Sequence, residues 1–333
     1  MRIVASLLLV VTLAAGPAAA QEAGRNVTLI VTSEPGGGYD LYGRLVARHL
    51  GAHLPGQPKI VVQNMPGAGG IVGANWVYNL APRDGSIIAV LPEILAIGQL
   101  IDNQSGKYDA RRFNWIGRAN SNVGVQHTFT SSGILTIEDA KRREVVVAGV
   151  GPASYSVIFP RLTNALLHTR FKIVAGYAGA SAANLAFERG EVDSVDTPWS
   201  VLKATHPDWI ASKKIAMLVE YCIGRPPDLP DTPAVVDLAQ NDEQRRIFQL
   251  YASGCAIGRS VAAPPGLPAA MVAAYRAAFL ETMRDPALLE DAKKARLELN
   301  PLPGEALQKL IADTFDIPPA IIDKVKAILG TEK

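Results

Sequence analysis

The sequence predicts an α/β protein built as two lobes that face each other across a cleft. Three observations carry that prediction. Short apolar, β-branched runs alternate with helix-patterned segments, the signature of largely parallel sheets covered by helices. The turns from strand to helix are rich in glycine and proline. The alternation occurs twice, once before Ile101 and again from Glu144, so the chain carries two such units.

The first unit opens with "VTLIVTSEPGGGYDLYGRLVARHL", Val27 to Leu50. An apolar strand runs into Pro35-Gly36-Gly37-Gly38, and a helix follows with Asp40 near its start and Leu41, Leu45, Val46 and Leu50 on one face. Consecutive glycines cost conformational entropy, so they mark unusual backbone angles or room for a group to approach the N–H donors. With a helix N-terminus beside them, they read as an anion site or as a tight turn with nothing bound. Next, "KIVVQN" (Lys59 to Asn64) leads into "MPGAGGIVGANWVYNLAP", again strand, Pro-Gly turn and helix. Ser86 to Leu91 is a third strand, followed by helix after Pro92 and Glu93. Ligands of such sheets lie beyond the carboxyl ends of the strands, so Pro35 to Asp40, Asn64 to Gly70 and Leu91 to Glu93 are expected along one edge.

The second unit has a strand over Glu144 to Ala148, a Gly-rich turn and a helix from about Ser154. "FKIVAGYAGASAANLAFERGEVDSVDTPWS" then gives a strand, a Gly-Tyr-Ala-Gly turn, a helix and a short strand around Val192 to Val195, with Asp196, Thr197, Pro198 and Trp199 after it. A proline-rich connection follows. "IFQLYASGCAIGRSVAAPP" reads as extended and apolar, and three amphipathic helical stretches follow from Leu267. The crossings between lobes are expected near Ala119 to Val125 and Tyr251 to Gly258. The expected division is 21–124 with 255–333 for lobe 1 and 125–254 for lobe 2.

Composition removes whole classes of function. Met1, Arg2, the apolar run Ile3 to Ala15 and the small residues before Gln21 read as a secretory signal cleaved after Ala20. Removing 20 of the 333 residues leaves 313, exported to the periplasm. The formal charge of +2 falls to +1 without Arg2, which favours neither nucleic acid nor an acidic membrane surface. Two cysteines, Cys222 and Cys255, both in strand-like apolar surroundings, form either one bridge or two buried thiols. Of the five histidines, His49 and His53 stand four apart on the first helix, a spacing open to a metal or to a solvated face. No His-Glu-x-x-His pair or Gly-x-Ser-x-Gly elbow occurs. "PGAGGIVG" places Gly67 and Gly69 in the first two positions of a dinucleotide fingerprint, but Val72 occupies the third, so it reads as an anion loop without dinucleotide.

"PGGGYDLYGRLVARHL", "VVQNMPGAGGIVGANWVYNLAPRDGSIIAVL" and "VAGYAGASAANLAFERGEVD" resemble, in order and spacing, the solute-binding receptors of tripartite tricarboxylate transporters, the Bug-type periplasmic receptors. The resemblance covers nearly the whole mature chain. It implies a two-lobed, type II-like periplasmic binding fold that closes on a small organic carboxylate and delivers it to integral membrane subunits, as a monomer with no catalysis, cofactor or metal. It implies ligand contacts at Pro35, Gly36, Gly37, Gly38, Tyr39 and Asp40 in the first loop, with Pro66, Gly67, Ala68, Gly69 and Gly70 corresponding to the second. Glu34 and Asn64, beside these loops, and Glu93 are further ligand candidates of this chain. On the facing lobe it places Gly149, Gly151, Ala153, Ser154, Tyr177, Ala178 and Gly179 over the ligand, with Asp196 as a selectivity position. An exported α/β enzyme and a ligand-presenting partner of a membrane sensor stand as alternatives.

This chain departs from the family pattern at Ser33, Glu34, Tyr39 and Glu93. A glutamate beside a carboxylate ligand is repulsive unless protonated or paired. Glu34 or Glu93 therefore either meets a hydroxyl or ammonium of the ligand, so that the ligand is hydroxyl- or amino-bearing rather than a simple tricarboxylate, or turns to solvent. Tyr39, Tyr155, Tyr177 and Trp199 are either pocket walls suited to an aromatic acid or ordinary core, and Tyr177 and Trp199 flank turns of the second lobe.

Overall fold

The computed structural model describes residues 26–101, 106–152, 154–223, 226 and 228–330. The signal segment and its cleavage position after Ala20, like Ala153, lie outside the described residues. The first sheet takes its strands from both ends of the chain: β1 (Val27–Val31), β2 (Ile60–Asn64), β3 (Ile87–Leu91), β4 (Asn114–Arg118), β10 (Ser260–Ala263) and β11 (Leu302–Pro303). Their order is β11-β4-β10-β3-β1-β2. The second sheet holds β5 (Gly124–Phe129), β6 (Val145–Gly149), β7 (Phe171–Ala175), β8 (Ser194–Pro198) and β9 (Ile215–Glu220), in the order β7-β6-β8-β5-β9.

β1 pairs in parallel with β2 and β3, and β6 with β7 and β8. Each parallel pair needs a crossover helix. These are α1 (Gly38–His53), α2 (Ile71–Asn79), α5 (Tyr155–Leu167) and α6 (Ala180–Glu188), with α3 (Leu95–Ile101) and α4 (Ile137–Arg142) in longer connections. β10 and β5 run antiparallel to their neighbours because the chain enters them from the opposite lobe. All five residues of β3 are buried, as expected of a strand covered on both faces. Among the described residues no helix is long and apolar enough to cross a membrane.

Several expectations are corrected. The stretch around Cys255 is not extended: α9 (Asp242–Ala252) and α10 (Gly254–Ile257) occupy it, and only Ser260–Ala263 is strand. Asn241 caps α9 by accepting from Gln244 N, and Ile247, Phe248 and Tyr251 bury one helical face. The short strand expected near Val192 begins at Ser194 and contains Asp196, because β8 pairs along β5 with Gln126 opposite Asp196. Four helices rather than three follow Leu267: α11 (Ala269–Thr282), α12 (Pro286–Lys294), α13 (Gly304–Asp313) and α14 (Pro319–Leu329). α14 packs on α3, α5 and α9, where Ile321 and Val325 join Ile97, Phe159 and Phe248 in one core.

The crossings 119–123 and 252–259 are bonded to each other. Ala119 N donates to Arg259 O, Arg259 N to Asn120 O, and Asn122 N to Cys255 O. Gly258 has φ +50, and a Cβ there would stand 2.2 Å from Asn120 O, so only glycine permits this approach. Cys222 and Cys255 form a disulfide with their Cα atoms 5.5 Å apart, which ties the chain after β9 to the second crossing.

Candidate functional site

The carboxyl ends of β1, β2 and β3 and those of β6 and β7 meet across a cleft, and the first turns of α1, α5 and α6 open into it. Helix first turns carry N–H groups without internal partners, which gives the cleft its donors. An outer cavity of about 610 Å³ lies between the Glu34 loop, the 66–70 turn, Val150 to Pro152 and Tyr177 to Ala180. An inner cavity of about 320 Å³ continues from it past Tyr39 and Ser154 to Glu93, Asn122, Tyr155, Asp196 and Arg259. The walls touch: a Cβ on Gly151 would stand 3.3 Å from Gly69 N, and one on Gly179 would stand 2.9 Å from Glu34 Cβ. The two sides of the cleft are thus in contact at its rim.

The glycine loops hold their shape through side chains that are thereby spent. Asp40 is buried. Its Oδ2 accepts from Gly36 N at 2.9 Å and Arg44 Nε at 2.8 Å, and its Oδ1 accepts from Asn64 Nδ2 at 2.9 Å. Burial opposes ionisation, but these bonds hold the carboxyl below its ordinary value. Asn64 also donates to Ser33 O. Asp40 and Asn64 thus build the first loop rather than face the cavity. Gly149 acts similarly, its carbonyl accepting from Gly176 N and Tyr177 N.

The remaining predicted residues divide between the cavities. Glu34, Pro66, Gly67, Ala68, Gly70, Gly151, Tyr177, Ala178 and Gly179 line the outer one. Gly36, Gly37, Gly38 and Glu93 line the inner one, while Tyr39, Gly69 and Ser154 border both. Pro35 is exposed beside them. Trp199 is placed elsewhere: it is buried, donates Nε1 to Asp228 Oδ1 at 3.0 Å, and lines a separate cavity of about 810 Å³ beside the disulfide. Tyr39 and Tyr155, rather than Tyr177 and Trp199, are the aromatic residues of the inner cavity.

Glu93 does not turn to solvent. It is 2 % exposed, and its Oε1 accepts from Asn122 Nδ2 at 2.5 Å. Burial raises its carboxyl from 4.5 to about 8, against the pull of Arg259 and the Asn122 bond. Asp196 is pushed up to about 7 by burial, again against Arg259. The Tyr39 hydroxyl is likewise raised by burial, and it accepts from Glu93 N at 3.2 Å.

Arg259 escaped sequence reasoning. It directly precedes β10, is 3 % exposed, and has its guanidinium carbon 4.1 Å from the centre of the Tyr39 ring and Nη2 donating to Asn122 Oδ1 at 2.6 Å. The signal available for it was a lone charge inside the apolar run "CAIGRSVAA". Asn122, on the other crossing, carried no signal. His49 pairs with Asp291 of α12 at 3.0 Å, and His53 with Asp285, the N-cap of that helix, at 2.8 Å. Among the described residues no group of three or more metal-ligating side chains occurs.

No family model matches the chain. A curated relative from Pseudomonas sp. (strain P51), the UPF0065 protein in the tcbD-tcbE intergenic region, is 24% identical over 306 residues, 87% of this chain and 82% of its own. Among solved structures, a TctC solute binding protein from Polaromonas superposes with a TM-score of 0.61 at 21% identity, covering 92% of this chain and 99% of its own. MatC from Rhodopseudomonas palustris, solved with bound malate, gives 0.69 at 19% identity over 92% and 99%. The chain is similar over most of its length to the UPF0065 protein and has the two-lobed fold of the TctC solute binding protein and of MatC.

Proposed function

We propose that the protein is a periplasmic receptor that captures a small organic carboxylate by closure of its two lobes and presents it, as a monomer, to the integral membrane subunits of a tripartite tricarboxylate-type transporter. The carrying observation is the inner cavity, where a buried arginine with free N–H groups stands at a junction of three helix N-termini. A neighbour of the same fold was solved with malate, which agrees with a carboxylate ligand. The lobes follow the two sheets, and a ligand seated on one gains the contacts of the other only on closure, so its differential affinity drives the change.

A thermal-shift screen of the protein from Gln21 onward against mono-, di- and tricarboxylates, aromatic acids and amino acids tests the reading. A saturable rise in Tm without consumption of the ligand is expected. No shift with any carboxylate overturns carboxylate capture, and turnover of the ligand overturns the receptor assignment in favour of an enzyme.

A further inference from the structure

The inner cavity holds an unbalanced set of buried polar atoms. Arg259 Nε and Nη1, Glu93 Oε2 and Asp196 Oδ1 are all shut off from solvent without a well-formed hydrogen bond, the Tyr39 hydroxyl being a nearby polar group that interacts with both Arg259 and Glu93. Buried polar atoms are almost always paired, because leaving one unpaired forfeits its hydration without return. Four such atoms on three side chains around one cavity describe the complement of a ligand.

The spacing is fixed by Asn122. Its Oδ1 accepts from Arg259 and its Nδ2 donates to Glu93, so one carboxamide holds the cation and the acid on its two sides. The guanidinium and the Glu93 carboxyl therefore stand at most about 7 Å apart, near each other but not ion-paired. Asn122 is itself pinned through its backbone to Cys255 O. Tyr39 closes one side of the group, its ring under the guanidinium and its hydroxyl at Glu93 N.

We propose that the ligand is an amino-bearing carboxylate, whose carboxylate accepts from the free N–H groups of Arg259 and whose ammonium donates to Glu93 and Asp196. The inference rests on the reading of the cleft as a carboxylate receptor and names the chemistry of its ligand. Hydrogen counting selects the amine. Asp196 Oδ1 is an acceptor and Glu93 Oε2 becomes one when its proton leaves on binding; a ligand hydroxyl brings one O–H, whereas an ammonium brings three N–H groups and itself favours that loss. Charge agrees: with Glu93 protonated before binding, Arg259 and an ionised Asp196 already balance, so a zwitterion brings the buried group no net charge of its own, whereas a plain carboxylate leaves a net negative charge unless Asp196 also takes up a proton. The inner volume of about 320 Å³ fits a small amino acid and leaves the outer cavity for its side chain or a second carboxylate.

Calorimetric titration with matched sets tests this: aspartate, malate and succinate; glutamate, 2-hydroxyglutarate and glutarate; alanine, lactate and propionate. In at least one set the amino member is expected to bind about ten- to a hundredfold more tightly than its hydroxy and unsubstituted counterparts. Glu93→Gln and Asp196→Asn are each expected to weaken the amino member about tenfold or more while leaving the unsubstituted member unchanged or tighter. Circular-dichroism melts confirm that each variant is folded, and the milder Glu93→Asp keeps the charge should Glu93→Gln fail to fold. Equal or tighter binding of the hydroxy or unsubstituted members overturns the amine assignment and leaves the carboxylate receptor standing. Binding of none of the nine, with a saturable response only to a carboxylate of the wider screen that carries no amine, likewise removes only this inference, whereas a response to another amino acid of that screen upholds it. Absence of any carboxylate response removes both.

Discussion

Replacing Glu93 by glutamine is expected to stabilise the ligand-free protein, and to do so only above mildly acid pH. Glu93 is 2 % exposed, and its carboxyl is held at about 8 against an ordinary 4.5. The folded chain therefore keeps a proton that the unfolded chain gives up. Unfolding releases that proton, so stability present below pH 4.5 is lost as pH rises, at about 1.4 kcal/mol per pH unit, until the folded group ionises near 8. The accumulated penalty at pH 8 is on the order of 4 kcal/mol. Glutamine carries no such proton and keeps an oxygen for Asn122, but its amide N–H₂ takes the place of the unpartnered Oε2 at a cost of about 1–3 kcal/mol. A net gain of about 1–3 kcal/mol at pH 8 corresponds to a rise of a few degrees in Tm. The groups facing Glu93 are Arg259, Asp196, Tyr39 and Tyr155, all retained in the variant, so their titration largely cancels in the difference. Scanning calorimetry of both proteins from pH 4.5 to 8.5 measures it. The variant should gain on the wild type steadily across that range, and a difference independent of pH would refute the reasoning.

Three further outcomes follow from the geometry. Gly151→Val puts a branched side chain where a Cβ already stands 3.3 Å from Gly69 N, so ligand should no longer compact the protein in small-angle scattering, and affinity should fall about tenfold or more. Gly258→Ala forces a Cβ to 2.2 Å from Asn120 O at φ +50, and chemical denaturation should show a loss of about 2 kcal/mol or more. Reducing the Cys222–Cys255 bridge, which closes a separation of 33 residues, should lower stability by about 3–4 kcal/mol, while a Cys222→Ser, Cys255→Ser protein should show no response to reductant.

The parallel parts of both sheets were legible because burial on two faces writes strands as continuous apolar runs, as in "IIAVL" and "VVVAG", and because the glycine turns mark where each helix begins. Where a segment answers to tertiary pairing instead of local pattern, the reading slipped. Phe248 and Leu250 alternate like a strand, yet the Asn241 cap and the Ile247–Tyr251 face make that segment helical. Asp196 belongs to β8 only because β5, arriving from the other lobe, extends the ladder to Pro198. In the site, the loops were visible in sequence while their chemistry was not. Asp40 looks like a ligand residue and is a loop brace; Arg259, a single charge within an apolar run, is the buried cation. That distinction depends on partners 137 residues away, such as Asn122 for Arg259, which no local window contains.

The position of Arg259 on the second crossing fixes the order in which a ligand meets its contacts. Points close to a pivot sweep a small arc, and points far from it sweep a large one. Arg259 and Asn122 are bonded into the two crossings themselves, next to the bridge at Cys255, and so keep their relative places whether the jaws are apart or together. Glu34 and Gly179 lie out along the arms and meet only when the jaws shut. For the carboxylate proposed above, the guanidinium is thus a fixed mooring post, met before the rim closes. Arrival is governed at the post and departure at the rim, so changes at Arg259 register in the association rate and changes at the rim in residence time.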